Sequence, residues 1–173
     1  YLFDPEEAKK AFVKAAEAAH AGGTGTRVSL SLSDPFCVDR HRDSFRHLVE
    51  HHIDILFANE EEILSLYQVE SFEEAVAKVR GHCEIACLTR GAKGSVIITG
   101  EDEIQVAADA VERVVDTTGA GDQYAAGFLF GFTQGHDLET AGRIGSMMAA
   151  EIISHYGARP EADVKALLKA VLG

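Results

Sequence analysis

The stretch that most constrains the fold of this chain is DTTGAGDQYAAG, residues 116–127, together with the apolar β-branched run at 111–115 before it. The pattern predicts a strand, a tight glycine turn and the start of an Ala-rich helix. Small residues at Gly119, Ala120 and Gly121 would leave their backbone N–H groups pointing outward at the positive end of the helix dipole, which favours an anion. Asp122 adds a carboxylate at the edge of this site, an arrangement suited to phosphoryl transfer.

Two better-known glycine motifs do not fit this stretch. A Walker A loop requires a Lys after its last glycine, and none follows here. The dinucleotide fingerprint requires a third glycine where Tyr124 stands. A plain strand-to-helix turn, with Asp122 acting only as a partner of the helix dipole, remains an alternative interpretation.

The rest of the chain alternates strand and helix patterns, which predicts an α/β fold, a three-layer sandwich with a mainly parallel sheet. A local antiparallel hairpin is expected near residues 94–107. We find no repeat or linker and interpret residues 1–173 as part of a single domain. Strands are predicted at 28–32, 53–57, 85–89, 95–99, 103–106 and 111–115. A first helix is predicted from an N-cap at Asp4 to the glycine-rich residues 22–25, and a second one at 71–80 has Ser71 as its N-cap. Further helices are predicted at 39–51, 120–132, 138–155 and 163–172. Glycines at 127, 131 and 135 predict close packing of one helix face.

Composition narrows the function classes. The 173 residues carry a net charge of −12, which argues against nucleic acid or an anionic membrane as a partner. No apolar run reaches the length of a membrane span. The three cysteines have no disulfide-framework spacing, which favours a reducing cytoplasm.

Two further stretches follow predicted strands. Asn59 and Glu62 offer an amide and a carboxylate three residues apart, which is equally the pattern of an acidic helix N-terminus. Residues 89–94, TRGAKG, form a glycine turn that would let backbone approach a nucleotide closely, or would merely connect two strands.

The string DTTGAGDQYAAG resembles the C-terminal signature of the ribokinase-like (PfkB-type) sugar and nucleoside kinases, D-T-T-G-A-G-D-x-[FY]-x-x-G, at every defined position. The resemblance implies ATP-dependent phosphorylation of a sugar-type hydroxyl. It also implies that Asp122 is the catalytic base and that the N–H groups of Gly119, Ala120 and Gly121 form the anion hole for the transferring phosphate.

The resemblance extends to three other motifs. Asn59 and Glu62 match an N-x-x-E motif, which implies organisation of Mg²⁺ through its waters. The turn with Thr89, Gly91 and Gly94 matches T-x-G-x-x-G, which implies a place near the ATP phosphates or ribose. In the G-A-x-P turn, Gly157 and Ala158 are expected to wall the adenine pocket. Asp116 and Thr118, with backbone carbonyls of that turn, are expected to bind a K⁺-like ion.

Members of this family are about twice as long as this chain. We therefore interpret it as the C-terminal nucleotide-binding and catalytic portion, lacking the N-terminal half and lid and inactive on its own. The strings DTTGAGDQYAAGFL, ISHYGARP and SLSDPFCVDRHR look most like bacterial adenosine kinases, so the expected partner is a small-molecule acceptor, adenosine first. Ribose or fructose, a non-catalytic nucleotide-binding fragment and a vitamin-precursor kinase remain alternatives, and a homodimer remains an open assembly state.

Overall fold

The computed structural model describes residues 3–23 and 25–173. Thr24, within the predicted glycine-rich end of the first helix, therefore lies outside the described residues. The chain forms two compact units. The first comprises the described residues up to Leu88 together with Ile98–Asp102, and the second comprises Thr89–Ile97 and Glu103–Gly173.

The first unit is an α/β arrangement built on parallel strands. Its elements are α1 (Glu6–Ala21), β1 (Ser29–Ser31), α2 (Pro35–His51), β2 (Ile55–Asn59), α3 (Glu60–Tyr67), α4 (Phe72–Val79) and β3 (Ile85–Thr89). The strands lie in the order β1-β2-β3, and residues 29–31 of β1 pair in parallel with residues 55–57 of β2. The Ile85 N–H donates to the Asp54 carbonyl at 3.0 Å, so β3 starts beside the start of β2 after a helical crossover, as parallel strands require.

Three helices of this unit begin at residues whose side chains cap them. The Asp34 carboxylate accepts from the Cys37 N–H, and the Ser71 hydroxyl accepts from the Glu74 N–H. The helix expected at 39–51 therefore begins at Pro35, because Asp34 caps it four residues earlier than the apolar pattern indicated. The predicted cap at Asp4 is wrong. Helix α1 begins after Pro5, and the Asp4 carboxylate is bonded to the His41 ring at 2.6 Å instead.

The second unit combines a strand pair with three helices. It contains a 3₁₀ turn (Gly91–Lys93), β4 (Ser95–Ile98), β5 (Glu103–Val106), α5 (Ala120–Thr133), α6 (Leu138–Ile152) and α7 (Val164–Leu172). Strands β4 and β5 are neighbours in the sheet, as the expected hairpin requires. The predicted α/β class, with mostly parallel strands and one hairpin, is confirmed.

Helices α5 and α6 approach each other through glycines. A Cβ on Gly127 would lie 2.8 Å from the Ile144 carbonyl oxygen, and one on Gly131 would lie 2.8 Å from the Ala141 Cα. The predicted close packing is thus present at these two positions. Gly135 instead follows the end of α5 with a positive φ of 81° and nothing within 4 Å of a Cβ.

The strand predicted at 111–115 is absent, and this part of the described chain is irregular. Its Val115 N–H donates to the Ile153 carbonyl at 2.8 Å. The run is apolar for another reason, because Val111 and Val114 line a cavity. Among the described residues no helix combines the length and apolar character needed to cross a bilayer.

Candidate active site

A cavity of about 560 Å³ lies within the second unit. One part of its lining is the turn after β3, with Thr89, Gly91 and Gly94, and another is the start of α5, with Ala120 and Gly121. The remaining lining is largely aliphatic and comes from 108–114 and from the end of α6. This size and this mixture of apolar walls with a few polar groups are typical of a small-molecule site.

The glycine loop forms the N-terminal end of α5. Gly119 precedes the helix with φ +80°, a left-handed conformation that favours glycine. The Ala120 N–H donates to the Thr117 carbonyl at 3.1 Å, so it is already used within the loop. The N–H groups of Gly121 and Asp122, by contrast, have no acceptor within the described part of the chain. Of the three predicted donors, the Ala120 N–H is thus committed within the loop, while Gly121 stays available and Asp122 adds a further unused N–H.

Two observations place Gly121 and Asp122 at the open end of this loop. A Cβ on Gly121 would meet nothing within 4 Å, and Gly121 lines the cavity. Asp122 is exposed in the first turn of α5, next to the unused N–H groups. A carboxylate in this position is favoured by the helix dipole and is open to a small molecule.

Asp116 ties the glycine loop to the turn after α6. Its Oδ1 accepts from the Thr118 N–H at 2.9 Å and from the Thr118 hydroxyl at 2.7 Å, and its Oδ2 accepts from the Gly157 N–H at 3.2 Å. These hydrogen bonds favour the charged carboxylate and hold the pKa of Asp116 below its usual value. The bond from the Thr118 N–H has the largest effect, and those from the Thr118 hydroxyl and the Gly157 N–H come next. The structure thus joins Asp116 and Thr118, the two residues expected to bind a K⁺-like ion, to the N–H of Gly157 in the G-A-x-P turn.

Two different structural requirements explain the glycines in the turn after β3. A Cβ on Gly94 would lie 2.0 Å from the Val106 carbonyl oxygen, so this position packs against backbone. Gly91 has φ +56° with open space around a Cβ, so backbone conformation selects glycine there. The turn is closed by the Arg90 N–H, which donates to the Gly94 carbonyl at 2.8 Å.

Asn59 and Glu62 lie in the first unit and bond to each other. The Asn59 Oδ1 accepts from the Glu62 N–H, while the Glu62 carboxylate accepts from the Asn59 N–H and Nδ2, all at 2.8 Å. This is a capping box at the start of α3. Burial raises the pKa of Glu62, although the Asn59 N–H opposes the shift. A direct role in holding a metal stays a prediction.

Sequence reasoning missed much of the cavity wall. The Ser146 hydroxyl donates to the Ala107 carbonyl at 3.1 Å and accepts from the Asp109 N–H at 3.0 Å, which holds the wall segment after β5 in place. The Ser95 and Tyr124 hydroxyls, both buried, bond at 2.7 Å. Val114, which lines the cavity, is 55% exposed.

Residues 2–165 match the family described as pfkB family carbohydrate kinase. The chain belongs to this family. Within the described residues, no group of three or more His, Cys, Asp and Glu side chains is arranged to hold a metal ion.

Solved and curated pfkB-type relatives differ in their named substrates. The adenosine kinase from Sinorhizobium meliloti is 43% identical, with a TM-score of 0.90 over 99% of this chain and 51% of that one. An Arabidopsis thaliana ribokinase complexed with ribose and ATP is 27% identical, with a TM-score of 0.76 over 94% of this chain and 52% of that one. A cytidine kinase from Thermococcus kodakarensis is 31% identical over 77% of this chain and 49% of its own length. The chain spans half or less of the length of the curated relatives it matches.

Proposed function

We propose that this chain supplies the nucleotide-binding and catalytic portion of a kinase that transfers the γ-phosphate of ATP to a hydroxyl of a nucleoside or sugar. The observation that carries the proposal is one cavity lined both by the turn of Thr89 and Gly91 and by the glycine loop at Gly121. An aliphatic wall beside unused backbone donors matches the two parts of a nucleotide, its base and its phosphates.

Binding of the base is assigned to the aliphatic part of the cavity. Val111, Val114 and Ile153 line it, and burial of an apolar ring face against such residues is favourable. The phosphates are assigned to the start of α5, where the N–H groups of Gly121 and Asp122 are unused within the described chain and the helix dipole favours negative charge. The family resemblance indicates ATP as the phosphate donor.

The proposed reaction uses Asp122 as the general base. The acceptor oxygen attacks the γ-phosphorus and forms a new O–P bond, while the bond from that phosphorus to the bridging oxygen breaks and ADP leaves with the electron pair. The hydroxyl proton passes to the Asp122 carboxylate. The N–H groups at the start of α5 stabilise the charge on the equatorial oxygens during transfer.

Oxygen donors are present for both proposed ions. Magnesium would neutralise phosphate charge, and the proposal assigns its retained waters to Asn59 and Glu62, since each Glu62 oxygen keeps a second lone pair beyond its bond from Asn59. A K⁺-like ion is assigned to Asp116 and Thr118. The Asp116 Oδ2 accepts from the Gly157 N–H and retains acceptor capacity on its second lone pair.

Adenosine is the acceptor proposed first. Support comes from the 43% identity to the adenosine kinase of Sinorhizobium meliloti over 99% of this chain. A probable sugar kinase from Rhizobium etli is 44% identical over the same share, which favours a sugar as the second candidate. Ribose- and fructose-type sugars form the alternative acceptor class. A non-catalytic nucleotide-binding fragment is the alternative for this chain by itself, because it spans about half the length of such kinases.

The test separates nucleotide binding from turnover. ATP binding to the 173-residue chain is measured by calorimetry, and ADP release by the full-length protein is measured with Mg²⁺ and K⁺ against adenosine, ribose and fructose. Replacing Asp122 with Asn should leave ATP binding intact and lower turnover by about a hundredfold or more. Glu112→Gln, which alters an exposed carboxylate outside the cavity lining, serves as the matched control.

Each result has a defined meaning. Phosphorylation of one acceptor, lost in Asp122→Asn and kept in Glu112→Gln, would support both the reaction and the role of the base. Normal turnover in Asp122→Asn would refute that role. If neither the 173-residue chain nor the full-length protein binds ATP, the assignment of the cavity to a nucleotide is refuted.

A further inference from the structure

Glu151 lies in the last turn of α6 and is placed against the usual electrostatic preference. A helix C-terminus carries partial negative charge, so a carboxylate there is unfavourable. The Glu151 side chain is also largely buried, at 9% exposure, and its Oε2 has no hydrogen-bond partner among the described residues. A buried charge in such a position destabilises the fold unless specific contacts compensate for it.

The compensating contacts all converge on one oxygen. Glu151 Oε1 accepts from the Glu161 N–H at 2.8 Å, the Ala162 N–H at 2.9 Å and the His155 ring at 3.1 Å. Two of these donors are backbone groups ten and eleven residues further along the chain. The carboxylate therefore holds segment 155–162 back against the end of α6.

The helix itself does not require this carboxylate. At the end of α6 the Ile153 N–H donates to the Ala149 carbonyl and the Ser154 N–H to the Glu151 carbonyl. The Ser154 hydroxyl also donates to the Ala150 carbonyl at 2.8 Å. The helix end is thus satisfied by its own backbone and by Ser154, so the Glu151 side chain acts on the segment that follows.

Segment 155–162 contacts the glycine loop at three points. The Gly157 N–H donates to Asp116 at 3.2 Å, and the Gln123 Nε2 donates to the Ala158 carbonyl at 3.3 Å. A Cβ on Gly119 would lie only 2.8 Å from the Ala158 Cβ, so the two backbones are in close contact. A shift of the segment would therefore reach the loop that carries Gly121 and Asp122.

We propose that Glu151 is a positioning residue that fixes segment 155–162 and, through Gly157 and Ala158, sets the conformation of the glycine loop for nucleotide binding. The nucleotide part of this inference rests on the proposed function. The His155 ring bonds to the Glu151 carboxylate, and the Glu161 carboxylate lies 3.8 Å from that same ring. Asp116 holds segment 155–162 from another side, through the Gly157 N–H.

Amide hydrogen exchange, measured in the absence of nucleotide, tests the positioning role directly. In Glu151→Ala the amides of Glu161 and Ala162 lose their acceptor, and their exchange should accelerate by about tenfold or more. Exchange in 116–123 should rise as well, while β4 and β5 stay unchanged. Glu151→Gln keeps an acceptor oxygen and should restore slow exchange. Glu139→Gln, an exposed change in the first turn of the same helix, is the control.

Nucleotide titrations and kinetics supply the second readout. Glu151→Ala should raise the dissociation constant for ATP, and KM for ATP, by about tenfold. At saturating ATP the bound nucleotide would hold the loop in its binding conformation, so kcat should change much less. The Gln variant and the Glu139 control should bind ATP like the parent protein.

Two results would overturn the inference. One is faster exchange in 155–162 with no change in 116–123, since the proposed coupling would then be missing. The other is a uniform increase across the second unit that Gln does not reverse, which indicates a purely stabilising residue. If the parent protein binds no ATP, the proposed function fails, yet the exchange measurement still decides whether Glu151 positions the loop.

Discussion

Replacing Gly119 with Ala should perturb the glycine loop through two separable effects. The first is conformational, because φ at Gly119 is +80° and a left-handed L-residue costs about 1–2 kcal/mol. The second is steric, because the new Cβ would lie 2.8 Å from the Ala158 Cβ and 3.3 Å from its Cα. Overpacking of this kind costs about 1–3 kcal/mol, so the free energy of unfolding should fall by roughly 2–5 kcal/mol in total.

Urea denaturation of two further variants separates these effects. Gly135→Ala has the same strain, with φ +81° and open space around a Cβ, and should lose only about 1–2 kcal/mol. Removing the opposing methyl group in the double variant Gly119→Ala/Ala158→Gly should recover part of the loss, since the new methyl group would then face only backbone at position 158. The reasoning is refuted if Gly119→Ala costs no more than Gly135→Ala and the second substitution restores nothing.

Three other predictions concern the same unit. Gly121→Leu should leave the melting temperature unchanged, since a Cβ there meets nothing within 4 Å, but should abolish ATP binding in calorimetry because the side chain would enter the cavity. Tyr124→Phe should lower the free energy of unfolding in urea by about 1–3 kcal/mol by leaving the buried Ser95 hydroxyl unpaired, and adding Ser95→Ala should recover part of it. The Tyr156 carbonyl and Glu151 raise the pKa of His155 above its usual value. The protonated ring therefore stabilises the fold below the unfolded-state pKa, and this stabilisation is lost as pH rises through the higher folded-state pKa. In urea denaturation, the loss of stability caused by His155→Gln should accordingly shrink as pH rises.

Most of the secondary structure could be predicted because its signals are local. Strands β3 and β5 begin and end at the predicted residues, since each is a short β-rich run bounded by turn residues. The cap at Ser71 was likewise predictable from neighbouring residues alone. The cap at Asp4 was not, because a partner 37 residues away, His41, binds its carboxylate.

The same distinction between local and distant signals applies to the candidate site. The glycine turn before α5 and the helix start after Asn59 each depend on residues that are close together in sequence, so local patterns predicted their conformation. The run at 111–115 has the composition of a strand, yet it forms an irregular cavity wall. Its course depends on distant contacts, among them the bond from the Val115 N–H to the Ile153 carbonyl.

The sequence by itself determined which chemical groups are present and in what local order: the glycine loop, its carboxylate and the caps that start the helices. Only the tertiary structure decided what surrounds these groups. Within the described chain it bonds Asp116 to Gly157, packs Gly119 against Ala158, and places the buried Glu151 where it holds segment 155–162. The physical reason is that a local pattern selects a conformation, whereas hydrogen-bond partners and cavity walls come from residues that only folding brings together.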